Sequence, residues 1–182
     1  RGIIISLIKS GKIKAIVTSS GSIDEDIIRA KLPYLQGSFE ANDIELGKEG
    51  INRMGNVFVP NDRYGYLDEF SSKTLEKIYN NKKSLTPSEL LNLVGKHIEG
   101  QSFVRAAAEN NVPIYCPGIT DGAFGTQLAF FKKKHADFEV DVVSDYNAIM
   151  DQAAQYEKTA GIILGGGIAK HHTIISNLIN GG

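Results

Sequence analysis

The chain has 182 residues, enough for one domain with a sizeable hydrophobic core. Hydrophobic residues make up 42% and charged residues 23%, which is ordinary for a soluble globular protein, and a net charge of −1 excludes a generally basic surface for nucleic acid. No apolar run approaches the ~20 residues of a membrane-spanning helix, so we expect neither a membrane nor a nucleic acid as partner.

Hydrophobic periodicity predicts an α/β protein in which strands alternate with helices. The predicted strands cover residues 13–17, 56–59, 112–116, 140–143 and 162–164. The predicted helices cover residues 3–10, 64–79, 87–97, 102–110, 145–156 and 170–179, and two more follow the turns at residues 18–21 and 117–125. This alternation indicates βαβ units and a doubly wound, mostly parallel sheet of the Rossmann-like kind, in a single domain over residues 1–182.

The first predicted strand ends in Thr-Ser-Ser-Gly at residues 18–21. Backbone N–H groups and hydroxyls at the start of a helix suit phosphate or ribose hydroxyls. Ser22 and Glu25 have the spacing of a capping box, which is one interpretation of this stretch. In the other, Asp24 and Glu25 present their carboxylates to a ligand at the same sheet edge.

Residues 34–60 are irregular, and an excursion of this length inside an α/β domain is often functional. Its last part is predicted as a loop over residues 50–55 and a strand over residues 56–59. Further along the chain, Thr86, Pro87 and Glu89 form a strong helix start, with a threonine N-cap and proline in the first helical position.

A second glycine-rich turn with an acidic residue, at residues 117–125, follows the strand at residues 112–116. On periodicity alone, Asp121 caps the helix that begins there. No histidine, cysteine or carboxylate cluster has the spacing of a zinc site, so no metal is expected.

The stretch at residues 161–172 predicts a ligand site, although a plain turn with surface basic residues is the alternative. Residues 162–164 are wholly apolar and predict a strand buried on both faces, and the glycines at residues 165–167 let a ligand approach the backbone. Lys170 occupies the place where the dinucleotide fingerprint needs its last Gly or Ala, so that fingerprint is absent.

The single cysteine, Cys116, lies in an apolar context and indicates a buried thiol in a reducing compartment, hence a cytoplasmic protein. No signal peptide is visible. The chain begins with Arg1 inside a helix pattern and stops after a helix cap at residues 180–182, so we expect an internal piece of a longer protein.

Four stretches together resemble deoxyhypusine synthase: residues 18–26, 50–64, 121–125 and 161–172. The runs Gly-Ile-Asn-Arg-Met-Gly-Asn and Gly-Gly-Gly-x-x-Lys-His-His are the most specific. The resemblance implies an NAD-binding fold and a homotetramer with sites between paired subunits. It also implies a transferase that moves the aminobutyl group of spermidine to a lysine of the translation initiation factor five-A precursor.

Site residues follow from the resemblance by position. Cofactor contacts are expected at Ser19, Ser20, Gly21, Glu25, Asp121 and Gly166, and spermidine contacts at Asp24, Glu25 and His171. Carboxylates suit a polycation, and a histidine accepts a proton near neutral pH.

Two departures from the family pattern leave alternatives open. Thr126 stands where the family commonly has a further spermidine-binding aspartate, which leaves agmatine or homospermidine chemistry possible. The family's catalytic lysine lies beyond Gly182, so no catalytic residue is assigned and the chain alone is expected to be inactive. The alternatives are a non-catalytic partner subunit and a homospermidine synthase acting on putrescine.

Overall fold

The computed structural model describes residues 1–178, and the predicted end of the last helix at residue 179 and the cap at residues 180–182 lie outside the described residues. The helices are α1 (Gly2–Lys9), α2 (Ser20–Lys31), α3 (Asp43–Lys48), α4 (Asn61–Tyr79), α5 (Pro87–Gly95), α6 (Phe103–Glu109), α7 (Ala123–Lys134), α8 (Val142–Ala154) and α9 (Ile168–Leu178). The strands are β1 (Ile16–Val17), β2 (Leu35–Gln36), β3 (Ile51–Met54), β4 (Val57–Pro60), β5 (Ser84–Leu85), β6 (Ile114–Tyr115) and β7 (Glu139–Val140).

The strands form three small sheets. β1 pairs with β6 in parallel, with Ile16 opposite Ile114, and β5 pairs with β7 in parallel. β2, β4 and β3 form an antiparallel sheet in that order. The α/β class and parallel pairing are therefore confirmed, whereas a single doubly wound sheet is not formed by the described residues.

The predicted buried strand at residues 162–164 is wrong for this structure. No strand forms there, and Ile162 and Leu164 are 77% and 80% exposed. A strand is held by backbone hydrogen bonds to a neighbour, and no strand in the described part of the chain pairs with this run. The run is as apolar as a buried strand, but an apolar composition does not supply a neighbouring strand for its backbone hydrogen bonds.

The excursion after α2 contains α3 and a three-stranded antiparallel sheet. The predicted strand at residues 56–59 is found as β4, but residues 51–54, predicted as a loop, pair with it as β3. Gly55 has φ of +61° in the tight turn between them. Arg53 fastens this sheet to α3 through two hydrogen bonds to the Asp43 carboxylate, of 2.6 and 2.8 Å.

Helix starts depend on side chains that accept backbone N–H groups. The capping box predicted at Thr86 and Glu89 is present. At α8, by contrast, Asp141 accepts the N–H groups of Val143 and Ser144, so the helix begins at Val142. The predicted strand over residues 140–143 is consequently limited to its first residue, and the predicted helix start at residue 145 is three residues late.

The core lies between α2, α4, α5, α6 and α7. α5 and α6 pack closely because Gly95 has no side chain, since a Cβ there would lie 2.7 Å from the Val104 carbonyl oxygen.

Cys116 is fully buried, as predicted, and burial raises the pKa of its thiol to about 12. Among residues 1–178, no helix is both long and apolar enough to cross a membrane.

Candidate functional site

The first two predicted turns meet at one end of the β1–β6 pair. Because β1 and β6 are parallel, their carboxyl ends lie at the same edge, and residues 18–21 therefore adjoin residues 117–122. The Ser20 hydroxyl donates a hydrogen bond of 3.2 Å to the Ile119 carbonyl oxygen and joins the two turns directly. Ser20 is buried, whereas its neighbours Ser19 and Gly21 are exposed.

Asp24 makes the strongest connection between the turns. Its two carboxylate oxygens accept the N–H groups of Ala123 and Phe124 at 2.8 and 2.9 Å, in the first turn of α7. Burial raises the pKa of Asp24, and these two hydrogen bonds act in the opposite direction. Asp24 therefore caps a helix that begins about a hundred residues further along the chain.

The predicted cap at Asp121 is wrong. The N-cap position of α7 is Gly122, which has no side chain to accept a hydrogen bond, and Asp24 provides the acceptors instead. The Asp121 side chain is exposed beside the turn. Its predicted role as a cofactor contact stays a prediction, but the competing structural role no longer applies.

The capping box predicted for Ser22 and Glu25 is also wrong. α2 begins at Ser20, two residues before the expected cap, and the Ser22 hydroxyl lies 3.2 Å from that of Ser19. Glu25 instead lies 3.8 Å from the Arg29 guanidinium, with 44% of its side chain exposed.

Glu25 faces a groove between α2 and the antiparallel sheet. The groove has a volume of about 460 Å³ and is lined by Glu25, Arg29, Tyr34, Leu35, Gln36, Met54, Asn56 and Val57. Burial, and then the negative charge of Glu25, raise the pKa of Tyr34. Arg29 lies 5.5 Å from the centre of the Tyr34 ring. This groove combines a carboxylate with an aromatic face, and the Arg29 guanidinium already lies beside both.

Sequence reasoning missed two tyrosines near these carboxylates. Tyr34 lines the groove, and the pKa of Tyr64, on α4, is raised by burial and then by Asp24 and Glu25. Tyr34 lies outside the four family-like stretches and Tyr64 at the end of one, but only the folding of residues 34–64 against α2 brings both tyrosines near the carboxylates.

The third predicted turn approaches the same edge through α9. A Cβ on Gly118 would lie 3.6 Å from the Ile168 side chain, so the start of α9 packs beside the second turn. Gly165 and Gly167 have φ of +92° and +80°, which explains why glycine is needed there.

The two adjacent histidines have different surroundings. His171 is exposed, whereas His172 is half-buried with its ring 4.7 Å from that of Tyr146. Burial lowers the pKa of His172, and the nearby Asp145 carboxylate acts in the opposite direction. Of the pair, His171 is therefore the more exposed to solvent. No hydrogen bond or ion pair connects His171 with Glu25 within residues 1–178.

No group of three or more histidine, cysteine or acidic side chains that could hold a metal ion occurs within the described 178 residues. Thr126 lies in the first turn of α7, where its hydroxyl donates to the Gly122 carbonyl oxygen at 3.1 Å.

The family model for deoxyhypusine synthase matches residues 1–182. The chain belongs to the deoxyhypusine synthase family. It is 42% identical over 184 residues to a protein of Thermoplasma acidophilum named as a probable deoxyhypusine synthase, and 40% identical over 195 residues to one of Thermococcus onnurineus. Both alignments cover the whole chain but only 59% and 58% of those relatives.

A solved structure supports the same assignment. The crystal structure of an Entamoeba histolytica protein assigned as a deoxyhypusine synthase is similar with a TM-score of 0.64 and 28% sequence identity. The match covers 93% of this chain and 53% of that one. The chain therefore spans somewhat more than half the length of the family members it matches.

Proposed function

We propose that the full-length protein is an NAD-dependent transferase that moves the aminobutyl group of spermidine to a lysine of the translation initiation factor five-A precursor, forming deoxyhypusine. Family membership supports this function. The observation that carries it is the meeting of the turns at residues 18–21 and 117–122 at one end of the β1–β6 pair. Ligands of parallel α/β folds bind beyond the carboxyl ends of the strands.

NAD would be held by Ser19, Ser20, Gly21, Glu25, Asp121 and Gly166. The open backbone fits such a ligand, because within residues 1–178 no atom outside the adjacent residues and the local helix backbone lies within 4 Å of a Cβ built on Gly21 or Gly166. Packing within the chain therefore does not account for these glycines, whereas close approach of a dinucleotide does. When bound, NAD supplies the acceptor for the hydride removed from spermidine.

Spermidine would be bound through its positive charges. Glu25 offers an exposed carboxylate in the groove, and the Tyr34 ring lies beside it. His171, exposed near the start of α9, would hold or accept a proton. Asp24, predicted as a further spermidine contact, has both oxygens occupied by α7, and this role stays a prediction.

The working enzyme is proposed to be a cytoplasmic homotetramer whose sites lie between paired subunits. Glu25 and His171 both face outward, which is compatible with a site completed by a second subunit. The buried thiol of Cys116 is compatible with a reducing compartment.

The test is Asp121→Ala in the full-length protein, with NAD affinity measured by calorimetry. We expect NAD binding to weaken about tenfold or more, in line with the loss of a positioned contact. Glu45→Ala, which removes an exposed carboxylate of α3, is the matched control and should bind NAD like the wild type. An unchanged NAD affinity in Asp121→Ala would refute the assignment.

The absence of a carboxylate at Thr126 favours testing a second function, that of a homospermidine synthase acting on putrescine. Turnover with putrescine and not with the factor precursor would establish that alternative. A full-length protein that binds NAD but turns over neither acceptor would instead be a non-catalytic partner subunit.

A further inference from the structure

Two acidic residues of α2 hold the starts of two other helices. Asp24 accepts the Ala123 and Phe124 N–H groups of α7. Asp26 accepts a 2.5 Å hydrogen bond from the Ser102 hydroxyl and a 3.1 Å bond from the Val104 N–H, at the start of α6. Both carboxylates are buried, with 8% and 3% of the residue exposed.

Glu25, between these two residues, has a different environment. Its side chain is 44% exposed and faces the groove beside Arg29. An ammonium group could approach Glu25 from solvent, whereas Asp24 is buried and each of its oxygens already accepts an N–H group of α7. The three consecutive acids of α2 therefore divide into two that hold other helices and one that is available to a ligand.

Gly122 shows how closely α2 is pressed against the second turn. A Cβ at this position would lie 2.5 Å from the Ser20 hydroxyl and 2.6 Å from the Asp24 carboxylate. Its φ of 176° is extended and open to any residue, so the requirement for glycine is steric. Together with the bond from Ser20 to Ile119, these contacts fix the turn that carries Asp121 against the turn at residues 18–21.

We propose that Asp24 is a positioning residue, which holds the Asp121 turn in register with the turn at residues 18–21. The inference rests on the proposed function and deepens it. It assigns to Asp24 an effect on NAD binding that a residue contacting only spermidine would not have.

The test compares Asp24→Ala with Asp26→Ala in the full-length protein. Each variant removes one buried carboxylate that caps a helix from α2, but only Asp24 touches the turn beside Asp121. Asp24→Ala should raise the NAD dissociation constant, measured without polyamine, between about tenfold and a hundredfold, whereas Asp26→Ala should leave it within about twofold. Asp24→Asn, which keeps one acceptor oxygen, replaces Asp24→Ala if that protein does not fold.

A second variant tests the mechanism. Gly122→Ala should also raise the NAD dissociation constant. In the double variant Asp24→Ala with Gly122→Ala, the fold increase in this constant should be smaller than the product of the two single increases. The reason is that removing the Asp24 carboxylate relieves one of the two clashes. Hydrogen exchange of the amides at residues 119–126 should accelerate in Asp24→Ala.

Several results would overturn the inference. Equal NAD affinity in wild type and Asp24→Ala, with an increase only in the KM for spermidine, would make Asp24 a polyamine contact while leaving the proposed function intact. Equal losses in Asp24→Ala and Asp26→Ala would show general destabilisation. Unchanged amide exchange would exclude the positioning role, and a wild-type protein that did not bind NAD would overturn both proposals.

Discussion

Replacing Gly125 with alanine should destabilise the protein, although alanine is the better helix former. Gly125 lies in the first helical turn of α7 and is buried against the loop that precedes this helix. A Cβ there would lie 2.5 Å from the Thr120 Cα, 2.6 Å from the Ile119 carbonyl oxygen and 2.7 Å from the Thr120 carbonyl carbon. These are backbone atoms, so no side-chain rotation can relieve the contact.

The expected magnitude combines two opposing effects. Overpacking a filled site costs about 1–3 kcal/mol, and contact with backbone places this case in the upper part of that range. The change from glycine to alanine inside a helix returns up to about 1 kcal/mol. The free energy of unfolding should therefore fall by about 1–2 kcal/mol.

Gly65→Ala is the matched control, because Gly65 is an exposed glycine inside α4 with no atom within 4 Å of the position of a Cβ. The same substitution there should stabilise by up to about 1 kcal/mol. Urea unfolding of the two full-length variants, compared with wild type, provides the measurement. If both variants shifted stability in the same direction, or if Gly125→Ala were as stable as wild type, the close approach of α7 to the turn would be refuted.

Three further outcomes are expected in the full-length protein or in this chain. Thr86→Ala should lower the free energy of unfolding by about 1 kcal/mol, whereas Thr86→Ser, which keeps the hydroxyl, should be close to wild type in urea unfolding. Because the pKa of His172 is lowered in the folded protein, its contribution to the free energy of unfolding is retained above pH 6.5 and lost as pH falls through the folded pKa. In urea unfolding, the free energy of unfolding of His172→Asn should therefore fall less than that of the wild type between pH 7.5 and 5.5. Borohydride trapping of this chain with NAD and spermidine should give no aminobutyl adduct on Lys170, because an exposed side chain lacks the desolvated surroundings that activate a nucleophilic lysine. An adduct mapped to Lys170 would place the nucleophile inside the chain.

Local capping signals predicted the start of α5 but not the starts of α2 and α8. The start of α5 at Pro87 follows from Thr86 and Glu89 alone, because both capping partners lie within one helical turn. α8 begins three residues before its predicted start, although its cap at Asp141 is equally local, because the apolar run at residues 140–143 is typical of a strand as well as of a helix start. Apolar residues at a helix start and in a short strand have no distinct periodicity over four positions.

The sheet was harder to predict, because strands depend on partners that are distant in sequence. The prediction of parallel strands brings the turns after β1 and β6 to the same kind of edge, and the pairing of β1 with β6 in the structure makes these two turns neighbours. The run at residues 162–164 had the composition of a buried strand but is exposed in the structure. Its composition favours a strand, but no strand in the described part of the chain pairs with it, so none forms.

The sequence alone determined which segments we propose as the site: the serines and glycine after β1, the acidic turn around Asp121, and the glycines before α9. Only the tertiary structure decided how neighbouring acids divide their roles. Asp24 and Glu25 are adjacent and equally charged, but one is buried against α7 and the other faces a groove. A carboxylate's role depends on which N–H groups, about a hundred residues away, reach its oxygens, and the local sequence does not contain that information.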